Sequence, residues 1–271
     1  MTVRNQISVG PAAAIYLCER YDLMIHPLLR VGMLSVQLDE DERVRIPEEG
    51  RAELQRQGLI QTDEVHPFLD DAWHLLAYPP LALGMAVRDD RESFNAVLAE
   101  QGRGTLRAYQ ADAPDSGSAE NILLDRQEYG GLGGNAVKLL GELKPISGGS
   151  ASVPTELLKQ AEQRMSSDPS GNAMSALASV GIRQNDARVL GNVITTPRGT
   201  EAVITARRHD RKVNRTHKLP NGLQVFRTEQ GCYMTQQSTG SDGREWFTVA
   251  PADQRKITAK LEEMLEHLRR R

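Results

Sequence analysis

Hydrophobic and polar positions along the chain follow one order twice. In the first half, Pro47 and Glu48 open a helical pattern through Leu54 that stops at Gly58, and a second runs from Asp63 to Leu76 until Pro79 and Pro80 end it. Strand-like runs follow at Leu81–Arg88, Phe94–Glu100, Thr105–Gln110 and Asn121–Leu124, with turns at Gly102 and Pro114–Gly117, and a helix at Val137–Leu143 closes the half. In the second half, helices fit Ala173–Val180 and Asp186–Ile194, and Pro197 to Gly199 breaks the pattern. Strands then fit Glu201–Arg207, Leu223–Thr228, Cys232–Gln237 and Trp246–Val249. A last helix from Pro251 lines up Ile257, Leu261, Leu265 and Leu268 on one face.

Local sequence supports the repeat. The turn Gly58 to Asp63 shares Gly, Gln and Asp with Gly181 to Asp186, and Glu100-Gln-Gly102 returns as Glu229-Gln-Gly231. Between the halves, Ser147 to Ser152 is small and flexible and reads as a linker. The chain therefore divides into an N-terminal half, 1–146, the linker, 147–152, and a C-terminal half, 153–271. Four short strands joined by hairpin-length turns imply antiparallel pairing. The expected class is α+β, and two four-stranded sheets are able to join into one.

Composition narrows the function. A chain of 271 residues with 39% apolar residues and 23 glycines holds a core of its own. A net charge of -3 gives no whole-chain attraction to nucleic acid or an anionic membrane. No run approaches the roughly 18 apolar residues a membrane span needs, and the N-terminus lacks the apolar core of a secretory signal. The expected location is the cytoplasm. Cys18 and Cys232 are far apart, and neither has a partner at metal-ligand spacing.

No motif in the sequence points to a specific catalysis. Gly130 to Gly134 resembles a phosphate cradle, but it closes an antiparallel region and reads as a loop or helix entry. His66 and His74 flank a helix without a third ligand, so no metal is expected. The acidic runs Asp39 to Glu42 and Glu48-Glu49 are interleaved with Arg43, Arg45 and Arg51 and read as a solvated face. No catalytic residue, metal or cofactor is assigned, and the chain is read as a non-enzyme. The informative feature is basic: Arg207, Arg208, Arg211, Lys212, Arg215 and Lys218 fall in a hairpin where the first half has only the turn Arg88–Arg91. It reads as a solubilising tip, as a docking site for an acidic partner, or as a nucleic-acid contact together with the tail Arg269–Arg271. The last reading lacks the aromatics that usually stack on bases, the next being Phe226.

The order of these features, with Val153 to Ala161 after the linker, the Gly181-Ile182 turn, and Glu245 to Pro251 running into a final helix, resembles the EspG family of type VII (ESX) secretion proteins over about residues 15–268. The resemblance implies a quasi-two-fold fold, with a central, mostly antiparallel sheet flanked by helical bundles. It also implies a cytosolic, substrate-specific chaperone for helical secretion substrates, either a PE–PPE heterodimer or a WXG100-like protein. The partner surface it implies lies on the C-terminal half. There Arg207, Arg208, Arg211, Lys212 and Arg215 would form a steering rim, and Phe226, Tyr233 and Met234 an open apolar sheet face.

Overall fold

The computed structural model describes residues 6–32, 39–89, 92–112, 119–167 and 172–270. The expected turns Pro114–Gly117 and Arg88–Arg91, and Arg271 of the tail, lie wholly or partly outside them. In the first half the elements are β1 (Ile7–Val9), α1 (Pro11–Tyr21), α2 (Glu40–Arg56), the small hairpin β2 (Ile60–Gln61) and β3 (Glu64–Val65), and α3 (Pro67–Ala77). The strands β4 (Ala82–Arg88), β5 (Phe94–Gln101), β6 (Gly104–Ala111) and β7 (Ile122–Gln127) follow, then α4 (Gly131–Leu139). The second half repeats the plan with β8 (Ala151–Pro154), α5 (Thr155–Ser167), α6 (Ala173–Ser179), α7 (Gln184–Thr195), β9 (Thr200–Asp210), β10 (Arg215–Lys218), β11 (Leu223–Thr228), β12 (Gly231–Thr239), β13 (Glu245–Pro251) and α8 (Gln254–Arg269).

Caps explain where the helices differ from expectation. α2 begins at Glu40, well before Pro47, because Asp39 and Glu42 form a reciprocal box: Glu42 N–H donates to Asp39 Oδ1 at 2.8 Å and Asp39 N–H to Glu42 Oε2 at 3.3 Å. The acidic run read as a solvated face thus also starts a helix. α3 begins at Pro67 and not at Asp63, since residues 60–65 turn back on themselves as a hairpin. α8 begins at Gln254, where Asp253 accepts from Lys256 N–H at 2.8 Å, so Pro251 ends a strand instead of opening the helix. Ala151 and Ser152, expected in the linker, open β8. They pair with Val249 and Thr248 of β13, and Ala151 is buried.

The two half-sheets merge. Among the described residues the main sheet has 11 strands in the order β1-β7-β6-β5-β4-β9-β11-β12-β13-β8, with β10 pairing to β9 off this path. The join is the antiparallel pair β4 and β9, in register from Ala82↔Arg207 to Arg88↔Glu201. The fold is therefore α+β around one antiparallel sheet, with the two halves placed about that central pair.

Strand alternation sends side chains to two faces, each covered by helices over most of its area. On one face Leu83, Met85, Leu98, Ile204 and Val225 pack under α4 and α8, whose Leu132, Ala136, Ile257, Leu261 and Leu265 complete the cluster. On the other, Val97, Leu106, Ala108 and Leu124 meet Leu17, Leu54 and Trp73 of α1–α3. Beyond the central pair on that face, Val153, Phe226, Tyr233 and Val249 meet Ala161, Leu177 and Leu190 of α5–α7. The pairing of α1 with α2 depends on Gly50, where an added Cβ would lie 2.2 Å from the Ala12 carbonyl oxygen. The glycine cluster resolves as a helix entry. Gly130 and Gly131 take φ values of 100° and 62°, and Glu262 of α8 accepts from Gly133 N–H at 3.0 Å. The anion at that helix N-terminus is the chain's own carboxylate.

Candidate functional site

β9 runs past the start of β4 and turns back as β10, so the basic hairpin projects beyond the paired part of the sheet. Its turn is set locally. Asp210 Oδ1 accepts from Lys212 N–H at 2.9 Å, and Asn214 takes the left-handed conformation at φ 47°. That N–H bond, followed by the nearby Arg208 guanidinium, holds the Asp210 carboxyl below the usual carboxylate range.

The cations divide into two groups. Arg207 donates to the carbonyls of Leu76 and Ala77 at 3.1 and 3.2 Å and so caps α3, and burial pushes its guanidinium down to about 10. Arg208 donates to Leu268 O of α8 at 3.2 Å and to Asp210 Oδ2 at 3.3 Å. Both satisfy last-turn carbonyls that would otherwise be orphaned, so both anchor the hairpin and neither belongs to a free rim. Arg211, Lys212, Arg215 and Lys218 are exposed and form no ion pair with any described residue. Val213 stands between them at the tip, 65% exposed.

The apolar members expected on an open sheet face are core. Phe226 and Tyr233 are 2% and 4% exposed, with rings 5.6 Å apart beneath α5–α7. Arg198 lies 4.8 Å over the Phe226 ring, and burial pushes the Tyr233 phenol up. Met234 points to the opposite face, half-buried against the cluster under α8. Alternation sets Met234 on the opposite face from Phe226 and Tyr233, and helices cover both faces at those positions.

What the structure offers instead is a pair of hollows around Leu219 to Gly222, the bulge that interrupts β10 and β11. One, of about 450 Å³, lies on the α8 side and is lined by Leu219, Asn221, Gln237, Met264, His267 and Arg270 among others. The other, of about 230 Å³, lies on the opposite face beside Val203, Gln224, Thr235 and Phe247. Both share Pro220 and Asn221. Near them Val203 and Thr205 leave the central strand exposed. Gly222 is required at the bulge, because a Cβ there would meet Ile204 O at 2.7 Å. Amides, hydroxyls and an apolar floor suit contact with a protein surface. The sequence signal for this region is Pro220-Asn221-Gly222, a turn signature that marks the bulge but not the hollows beside it.

Other candidate chemistry is structural. His66 Nδ1 accepts from Phe68 N–H at 3.2 Å as the cap of α3, and the His74 ring stacks edge-on to Tyr21 at 4.8 Å. Among the described residues no group of three or more His, Cys, Asp or Glu is placed to hold a metal, and no helix is long and apolar enough to cross a membrane.

One merged antiparallel sheet and two repeated halves define a quasi-two-fold α+β protein. The chain belongs to the EspG family, whose model matches residues 11–263. Among solved structures, it is similar to the Mycobacterium tuberculosis type VII secretion system chaperone EspG5, solved in complex with a PE25–PPE41 dimer. The identity is 17%, coverage is 97% of this chain and 96% of that one, and the TM-score is 0.70. A dehydratase of type I polyketide synthases aligns at 8% identity over 69% of this chain and 80% of that one, and its TM-score of 0.21 carries no inference about fold. No curated protein sequence matches the chain.

Proposed function

We propose that this chain is a cytoplasmic chaperone of type VII secretion that binds a helical substrate pair of the PE–PPE kind and keeps it soluble for export. Membership of the EspG family over residues 11–263 carries the reading. It is supported by a shared fold with a chaperone solved on such a pair. The role is stoichiometric binding without turnover. The contact surface is on the C-terminal half, at the bulge hollows and the hairpin tip. Arg211, Lys212 and Arg215 replace the wider set suggested by composition, since Arg207, Arg208, Phe226, Tyr233 and Met234 are occupied within the fold.

Co-expression with a PE–PPE pair from the same host, followed by size-exclusion chromatography, tests this. A three-component complex is expected, with at least tenfold weaker binding for the Arg211→Glu/Lys212→Glu/Arg215→Glu variant and an unchanged melting temperature. Failure of any helical secretion substrate to co-elute overturns the chaperone reading, and full binding by the triple variant overturns the assignment of the tip.

A further inference from the structure

β10 is an edge within the sheet. Among the described strands it pairs only with β9, whereas β11, which continues its path after the bulge, pairs on both sides, with β9 and β12. Leu219 N–H donates to Ala206 O at 3.1 Å, which fixes the phase of the ladder. Hydrogen-bonded and non-hydrogen-bonded pairs alternate in an antiparallel ladder. Arg215 and His217 therefore turn their backbone groups toward β9, and Thr216 and Lys218 turn theirs outward. β12 pairs with β11 only as far as Gln236↔Leu223, and Gln237 to Thr239 run on beside β13 alone. The 450 Å³ hollow fills the notch between these residues and the bulge.

We infer that the outer edge of β10 accepts an extended acidic segment of a partner protein as an added strand. Charge selects the occupant. Arg211, Lys212, Arg215 and Lys218 have no carboxylate partner among the described residues, and Arg270 lines the notch. Both carboxylates lining the same notch already have cationic partners: Glu263 pairs with Lys260 at 2.8 Å, and Glu266 pairs at 2.5 Å with Arg269, which it shares with Glu100. A second copy of the chain does not fit, because two such edges would bring Arg215 and Lys218 against their own like charges. A neutral strand would gain the backbone bonds and leave the cations unmatched. An acidic strand satisfies both, with the backbone supplying affinity and the side chains choice.

This inference rests on the docking reading of the C-terminal half, but its test uses no helical substrate, so either can fail alone. The probe is a capped hexapeptide alternating Glu with Val, added at low salt to the full-length isotope-labelled protein and followed by residue-resolved amide exchange. Exchange at Thr216 and Lys218 should slow at least tenfold, and a Lys/Val peptide should have no effect. Thr216→Pro removes one outward donor and leaves the backbone bonds to β9 in place, and should weaken the Glu/Val peptide at least tenfold, whereas Thr216→Val, which loses only the 3.1 Å contact of Thr216 Oγ1 with His209 Nδ1, should bind it as the wild type does. Unchanged exchange at both amides under excess peptide overturns the inference, as does wild-type affinity in the Pro variant. The wild-type exchange result decides the matter should that variant disturb the hairpin.

Discussion

Acidification should destabilise this protein through one residue, His26. Its side chain is buried at 4% exposure and lies on Gly84 of β4, where an added Cβ would sit 2.8 Å from His26 Cε1. Nδ1 accepts from Leu28 N–H at 3.2 Å, so that nitrogen carries no proton in the fold. Burial, then the Arg207 and Lys218 charges, push the imidazole down from 6.5 to about 3. Between those values the unfolded chain binds the proton and the folded one does not. The stability His26 contributes is thus complete above pH 6.5 and is lost as pH falls toward 3. At about 1.4 kcal/mol per pH unit, the loss at pH 5 is about 2 kcal/mol. Carboxylates also titrate near that pH, so the comparison must be internal. Urea unfolding of the wild type and of His26→Gln, each at pH 7.5 and pH 5.0, gives two differences. The wild type should lose about 2 kcal/mol more than the variant over that interval. Equal losses would refute the reasoning, since they would mean that the imidazole is hydrated enough to protonate without penalty.

The division of the hairpin cations predicts opposite outcomes for chemically similar changes. Arg207→Ala and Arg208→Ala should each cost about 1–3 kcal/mol in urea unfolding, because each leaves helix-end carbonyls without a donor. Arg211→Ala and Lys212→Ala should stay within about 0.5 kcal/mol of the wild type. Gly50→Ala should cost about 1–3 kcal/mol by forcing α1 away from α2, with Gly102→Ala as a control whose added Cβ meets nothing within 4 Å and whose φ of +60° tests backbone strain alone. A Gly50 cost no larger than the control's would show that the helix pair relaxes freely.

The repeat was legible because turns are local. Glycines 58 and 181 and the motifs ending at Gly102 and Gly231 mark the same joints in both halves, and Gly58, Gly102, Gly181 and Gly231 all take positive φ. Antiparallel pairing followed from short connections. The join of β4 to β9 was legible only as a possibility, since its register depends on both halves at once. The apolar surface failed for a related reason. Alternation reports that Phe226 and Met234 face opposite ways, but not that helices cover each face there. Arg207 and Arg211 are the same residue type four positions apart, and only the placement of α3 makes the first an anchor and leaves the second free. β8 was missed because its first residues, Ala151 and Ser152, have linker composition, and its strand character comes from the partner β13.

The hairpin is also where the two-fold plan is broken, and the break joins the halves. Within the shared plan β4 and β9 are equivalent strands at the centre, and β9 alone extends beyond the other's first residue. That extension and the last paired residue before it meet both halves: Arg207 caps α3 of the first, His209 N–H donates to Pro79 O at 2.8 Å, and Arg208 caps α8 of the second. The Tyr78 ring lies 4.6 Å from the His209 ring at the same base. The base of the hairpin is therefore held by two helix ends and a strand connection, while the tip itself, residues 211–214, carries no such ties. A fixed base with a free charged end lets side chains at the tip vary at little cost to the core. Specificity that must change while the fold does not is best placed at such an end.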